Sequence, residues 1–150
     1  MKVYLNNVHR VVKYNSLLRW QMMKMIRFFL VKENILNVEM GVILSGDDHL
    51  AHLNEKYRRE KGPTDVLSFS LDDDGEIKMP GGKRRQLLGE IYISVDRALA
   101  RIEETGEPLE KEILYLLAHG LYHLLGFDHA DESGRREMEM LVEDLVGKAF

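Results

Sequence analysis

The eleven residues from His119 to His129, HGLYHLLGFDH, limit what this chain can fold into more than any other stretch. Apolar residues around them recur at helical spacing. On a helix, His119 and His123 differ by only about 40° around the axis and stand about 6 Å apart along it, so both rings can reach one point. Gly126 follows where a helix commonly closes on a residue of positive φ, and the backbone can reverse there. The three residues from Gly126 to His129 span up to roughly 10 Å, enough to bring a third ring back to the same point. One histidine on a half-buried face is ordinarily a hydrogen-bonded structural residue. Three at this spacing, with a glycine at the required turn, predict a metal held by His119, His123 and His129. The expected ion is zinc, one per chain, with protein on three tetrahedral positions and the fourth open, as in catalytic sites; nickel, cobalt or copper would also accept three imidazoles.

The absence of cysteine removes thiolate ligands, disulfides and thiol nucleophiles, so a metal must be held by His, Asp or Glu. His49 and His52 share a predicted helix face but have no third donor nearby. They, like His9, read as surface or structural residues. The ligand frame matches H-E-x-x-H-x-x-G-x-x-H of the metzincin proteases, except that Gly120 stands where their glutamate moves the proton between water and leaving amine. A glycine relays no proton. Amide cleavage needs that proton, whereas phosphodiester cleavage relies mainly on in-line positioning and charge neutralisation. The expected substrate is therefore not a peptide. Two other readings stay open at this point: a metalloprotease-like hydrolase, and a non-enzymatic assembly factor whose metal only fastens the last two helices together.

The pattern along the chain predicts an α+β fold: a small four-stranded mixed sheet covered by about five helices, with a zinc-hydrolase-like, metzincin-like site. Strands are expected at residues 2–6, 37–44, 66–71 and 87–94. Helices are expected after Asn15, from a Ser45/Asp48 capping box through about Lys56, from a Ser94 cap through Glu104, over 109–125 and over 133–148. Met22, Met23 and Met25 read as helix core rather than cofactor ligands. The polar run at 72–86 reads as a hairpin loop. With 150 residues, 45% of them hydrophobic, the chain is sized for one domain over 1–150. No run suits a signal peptide or a bilayer span, so a cytoplasmic protein with no membrane partner is expected.

The net charge of −4 conceals an asymmetry: residues 1–70 sum to +4 and residues 71–150 to −8. Basic clusters at Lys24, Arg27 and Lys32, and at Lys56, Arg58, Arg59 and Lys61, leave room for a phosphate-rich partner on one face. The first cluster reads more simply as a solvated helix face.

HGLYHLLGFDH, together with LNEKYRREKGPTDVLSFS (53–70) and GEIYISVDRA (89–98), resembles the YbeY family of bacterial rRNA maturation factors, metal-dependent single-strand endoribonucleases. The resemblance covers most of the chain from about residue 40 onward. It implies that His119, His123 and His129 hold zinc, and that Arg58, the arginine after the tyrosine, is the catalytic or RNA-contacting cation, with Arg59 as its neighbouring competitor. A guanidinium suits that role, offering paired donors to phosphate oxygens. Asp128 is open to two roles, orienting a ligand histidine or serving as the site's base, and the first is the commoner arrangement. Thr64, Asp65 and Ser68 would border the substrate cleft, though a plain buried strand explains them equally well. The partners implied are single-stranded RNA, ribosomal RNA and the small ribosomal subunit.

Overall fold

The computed structural model describes residues 1–9, 15–35, 37–58, 64–70, 76–78, 84–127 and 131–150; for Arg58, Ser70, 76–78 and 84–87 it describes the backbone alone. Three strands run parallel: β1 (Lys2–Asn7), β2 (Val38–Ser45) and β5 (Arg84–Ser94). The hairpin partners β3 (Val66–Ser70) and β4 (Glu76–Lys78) run antiparallel to β5. The sheet order is β1-β2-β5-β3, and β4 pairs with the first residues of β5. A mixed four-stranded sheet is what the sequence pattern predicts, and its order is given only by the structure. The polar run expected to be a loop contributes a short fifth strand, because Glu76–Lys78 satisfies the backbone donors and acceptors of Arg84–Gln86.

The period of two decides which face each strand buries. Met40, Val42 and Leu44 on β2, with Ile91 and Ile93 on β5, are buried beneath the helices. On them lies a helical layer of α1 (Ser16–Lys32), α4 (Leu109–Leu124) and α5 (Glu132–Ala149), with α3 (Val95–Thr105) beside α4. Helix α1 begins at Asn15, whose side chain accepts from Leu18 N at 2.7 Å, and buries Leu18, Met22, Met25, Ile26 and Phe29. Two of the three methionines read as core are thus fully covered, and Met23 is half-buried. Tyr122 of α4 is fully buried, its ring meeting Phe29 edge-on at 5.1 Å. Each such aromatic burial contributes on the order of 2–3 kcal/mol.

The predicted capping box at Ser45 does not form. Pairing with β5 carries β2 through Ser45, opposite Ser94, and Gly46 becomes the N-cap of α2 (Asp47–Leu53). The cap is supplied from a distance: Asp96 Oδ2 accepts from Asp47 N at 2.8 Å, while Oδ1 meets His9 Nε2 at 2.8 Å. Ser45 instead bonds His49 Nδ1 at 2.7 Å, and His9 and His49 are the structural residues their context suggested. Helix α2 also stops short of Lys56, widening into a π-helical turn over Asn54–Arg58. The other helix limits lie within a residue or so of expectation.

The His9 hydrogen bond, reinforced by the Asp47 amide, holds the Asp96 carboxyl below its ordinary value. A depressed acid stabilises the fold above the unfolded value of 3.8, and the stabilisation is lost as pH falls through the lower folded value. Asp96→Ala should therefore cost about 1–2 kcal/mol at neutral pH, the worth of a lost cap and side-chain bond. In denaturant titrations the gap between variant and parent should close as the pH drops below that range.

Candidate metal centre and substrate cleft

Helix α4 has two working faces. Leu114, Leu117, Ala118, Leu121 and Leu124 are buried, while Glu112, Tyr115, His119 and His123, spaced three and four apart, line the opposite side. His119 and His123 lie one above the other, ring centroids 6.4 Å apart and planes inclined by only 28°. Tyr115 meets His119 edge-on at 4.7 Å. The helix ends in a Schellman motif: Gly126, at φ 88°, donates to His123 O at 3.0 Å, and Phe127 N donates to Tyr122 O at 3.1 Å. The Phe127 ring packs on Tyr122 at 5.3 Å, the hydrophobic contact that accompanies this motif. The chain thus turns at the residue the spacing required.

Both histidines open onto a cleft of about 750 Å³, walled by the entry to β3 (Thr64, Asp65), by α3 through Arg101, and by α5 through Arg135 and Glu139. Two stacked imidazoles facing one polar cleft fit a divalent ion as neutral nitrogen donors. Among the described residues no third His, Asp or Glu completes a cluster, and His129 and Asp128 lie outside the described residues, as does Arg59. The backbone of Arg58 ends the π-helical turn, and its side chain is likewise outside them. The neighbouring Tyr57 ring packs against Phe69 of β3 at 5.6 Å, and Phe69 against Tyr92 at 5.8 Å, so the turn that carries Arg58 is fastened to the sheet by aromatic contacts. Burial, with the hydrogen bond to Glu90 next, pushes the Tyr92 hydroxyl up to about 12, so it stays a donor to that carboxylate.

Thr64 and Asp65 share the cleft with the histidines. Ser68 is placed differently: its hydroxyl donates to Gly120 O at 3.0 Å, tying β3 to α4. That bond sits where α4 closely approaches β5. A Cβ built on Gly120 would lie 2.6 Å from Ile91 Cγ2 and 3.3 Å from Ser68 Oγ. The position that carries the glutamate in the metzincin pattern is here pressed against β5, where any side chain would have to displace that of Ile91.

Arg101, Tyr115, Arg135 and Glu139 were not singled out from the sequence. Nothing in their local pattern marks them; Tyr115 alone carries a signal, being four residues before His119 on the same helical face. Arg101 Nε meets Oε1 of the nine-tenths-buried Glu112 at 3.3 Å, its Nη1 lies 3.9 Å from Asp65, and its guanidinium covers the Tyr115 ring at 5.7 Å. Burial holds the Glu112 carboxyl above the ordinary range against the opposing pull of Arg101.

A family model described as Endoribonuclease YbeY matches residues 5–149. Proteins named Endoribonuclease YbeY are 38% identical in Syntrophomonas wolfei over 75% of this chain and 73% of theirs, and 36% identical in Bacillus licheniformis over 83% and 81%. One from Roseiflexus castenholzii is 40% identical over 73% and 71%. The solution structure of TM1509 from Thermotoga maritima superposes with a TM-score of 0.62 at 26% identity, covering 98% of this chain and 88% of that one.

Gly120→Ala should destabilise the protein by roughly 1–3 kcal/mol through overpacking. Combined with Ile91→Ala, which removes the colliding methyl groups, it should cost less than the two single changes added together. A double-mutant cycle from urea unfolding measures this.

Proposed function

We propose, on the premise that the chain belongs to the YbeY endoribonuclease family, that residues 1–150 act as one zinc-dependent domain cleaving single-stranded RNA. Its role would lie in ribosomal RNA maturation, at the 16S 3′ end, and in small-subunit quality control, in the cytoplasm. The observation that supports this most is the stacking of His119 and His123 on one face of α4, both opening into the same polar cleft.

In this reading His119, His123 and His129 hold one zinc ion, which when bound supplies a Lewis acid at the phosphate and lowers the pKa of water. The remaining work falls to side chains. Arg58, at the end of the anchored π-helical turn, neutralises charge developing on the phosphate oxygens through a paired-donor guanidinium. Asp128, the residue before the third ligand in sequence, orients one of the ligand imidazoles, the alternative being that it serves as the base. Thr64 and Asp65, at the entry to β3, border the strand of RNA, and Arg59 is a second cation beside Arg58. Ser68 acts indirectly, fixing the distance between β3 and α4.

The protease alternative loses ground on structural as well as chemical terms, since position 120 cannot hold a glutamate without displacing Ile91. Among the described residues no helix is long and apolar enough to cross a membrane.

His123→Ala should lower single-strand RNA cleavage by at least about 10²-fold and reduce bound zinc in elemental analysis. Arg58→Ala should lower cleavage by a similar factor, the size of losing a charge-stabilising donor, with zinc content unchanged. Full cleavage by a zinc-depleted His123→Ala protein would defeat the assignment.

A further inference from the structure

Two arginines outside the three motif blocks line the cleft. We infer that Arg101 and Arg135 are phosphate-binding residues that hold the RNA strand on either side of the His119/His123 pair, an inference that rests on the endoribonuclease reading. Arg101 comes from α3 and Arg135 from α5, and both line the same cleft as the histidines.

Arg101 is held in place before any ligand arrives. Its Nε lies 3.3 Å from Glu112 Oε1, its Nη1 lies 3.9 Å from Asp65 Oδ2, and its guanidinium carbon stands 5.7 Å from the centre of the Tyr115 ring, which abuts His119. These contacts fix a side chain that otherwise keeps about 2 kcal/mol of rotamer entropy, so little ordering remains to be done when a phosphate binds. Tyr115, His119 and His123 follow one face of α4, and Arg101 of α3 extends that row beyond Tyr115, which gives an extended strand a direction across the site.

Arg135 is exposed near the amino end of α5, where the helix dipole disfavours a cation. The neighbouring Arg136 is bonded to Glu132 at 3.0 Å and does not line the cleft, so it provides a matched control. The cleft also contains Asp65 and Glu139. Among the described residues the two carboxylates balance the two guanidiniums in number, so the proposed phosphate binding depends on where those guanidiniums stand rather than on bulk charge.

The test is fluorescence anisotropy of a short labelled single-stranded 2′-O-methyl RNA, with Kd measured across a salt series for the full-length parent and for Arg101→Ala, Arg135→Ala and Arg136→Ala. Each phosphate contact removed from a single strand should lower the slope of log affinity against log salt by about 0.7. Arg101→Ala and Arg135→Ala should each show that change and weaken binding roughly tenfold, with Arg136→Ala matching the parent. Arg101→Lys should recover the slope but only part of the affinity, because the charge returns without the fork. It also keeps the experiment decisive if Arg101→Ala folds poorly. Slopes and affinities of Arg101→Lys and Arg135→Ala identical to those of the parent, or an equal loss in Arg136→Ala, overturn the inference. Because binding is read without cleavage, a parent protein that binds with the expected slope yet never cuts RNA would defeat the nuclease reading and still support this one.

Discussion

The site depends on one close contact, the seating of α4 against β5 at Gly120. Without a side chain there, the helix backbone approaches until Ile91 fills the space a Cβ would take and Ser68 reaches the Gly120 carbonyl. This contact sets the rotation of α4 about its own axis. Once position 120 faces the strand, the helical period sets His119, His123, Glu112 and Tyr115 about 60–140° around the axis from it, on the adjoining face that opens away from β5. A residue larger than glycine would lift the helix and swing the row of functional groups away from the cleft.

That constraint gives the departure from the metzincin pattern a second explanation. Glycine in place of glutamate reads in the sequence as the loss of a proton carrier. In the fold it is also a packing requirement, so the helix has exchanged a catalytic side chain for contact with the sheet. What remains on the cleft side is two stacked imidazoles, a guanidinium from α3 paired with Glu112 beside Tyr115, and a second guanidinium from α5, with Asp65 and Glu139 among them.

Much of the architecture could be read from the chain because it depends on local physics. Alternation marked β1, β2 and the core of β5. Asn15, Ser94 and Gly106 punctuated α1 and α3 through side-chain caps and a left-handed turn, and Gly126 did the same for α4. Where the reading missed, a distant residue had taken over a local role. Ser45 looks like an N-cap, yet Asp96 caps α2 from 49 residues away. The run at 72–86 looks like a loop, yet β5 recruits Glu76–Lys78 as a strand.

By itself the sequence determined the ligand helix: two histidines a turn apart and a glycine able to close it, since helical period and positive φ are properties of neighbouring residues. It determined as well that any metal here must be held without thiolate sulfur. Only the tertiary structure decided what faces those histidines. Arg101 and Arg135 carry no mark in their own segments, and they reach the cleft because α3 and α5 pack against α4, an outcome of side-chain volumes across the core that no single stretch of chain encodes.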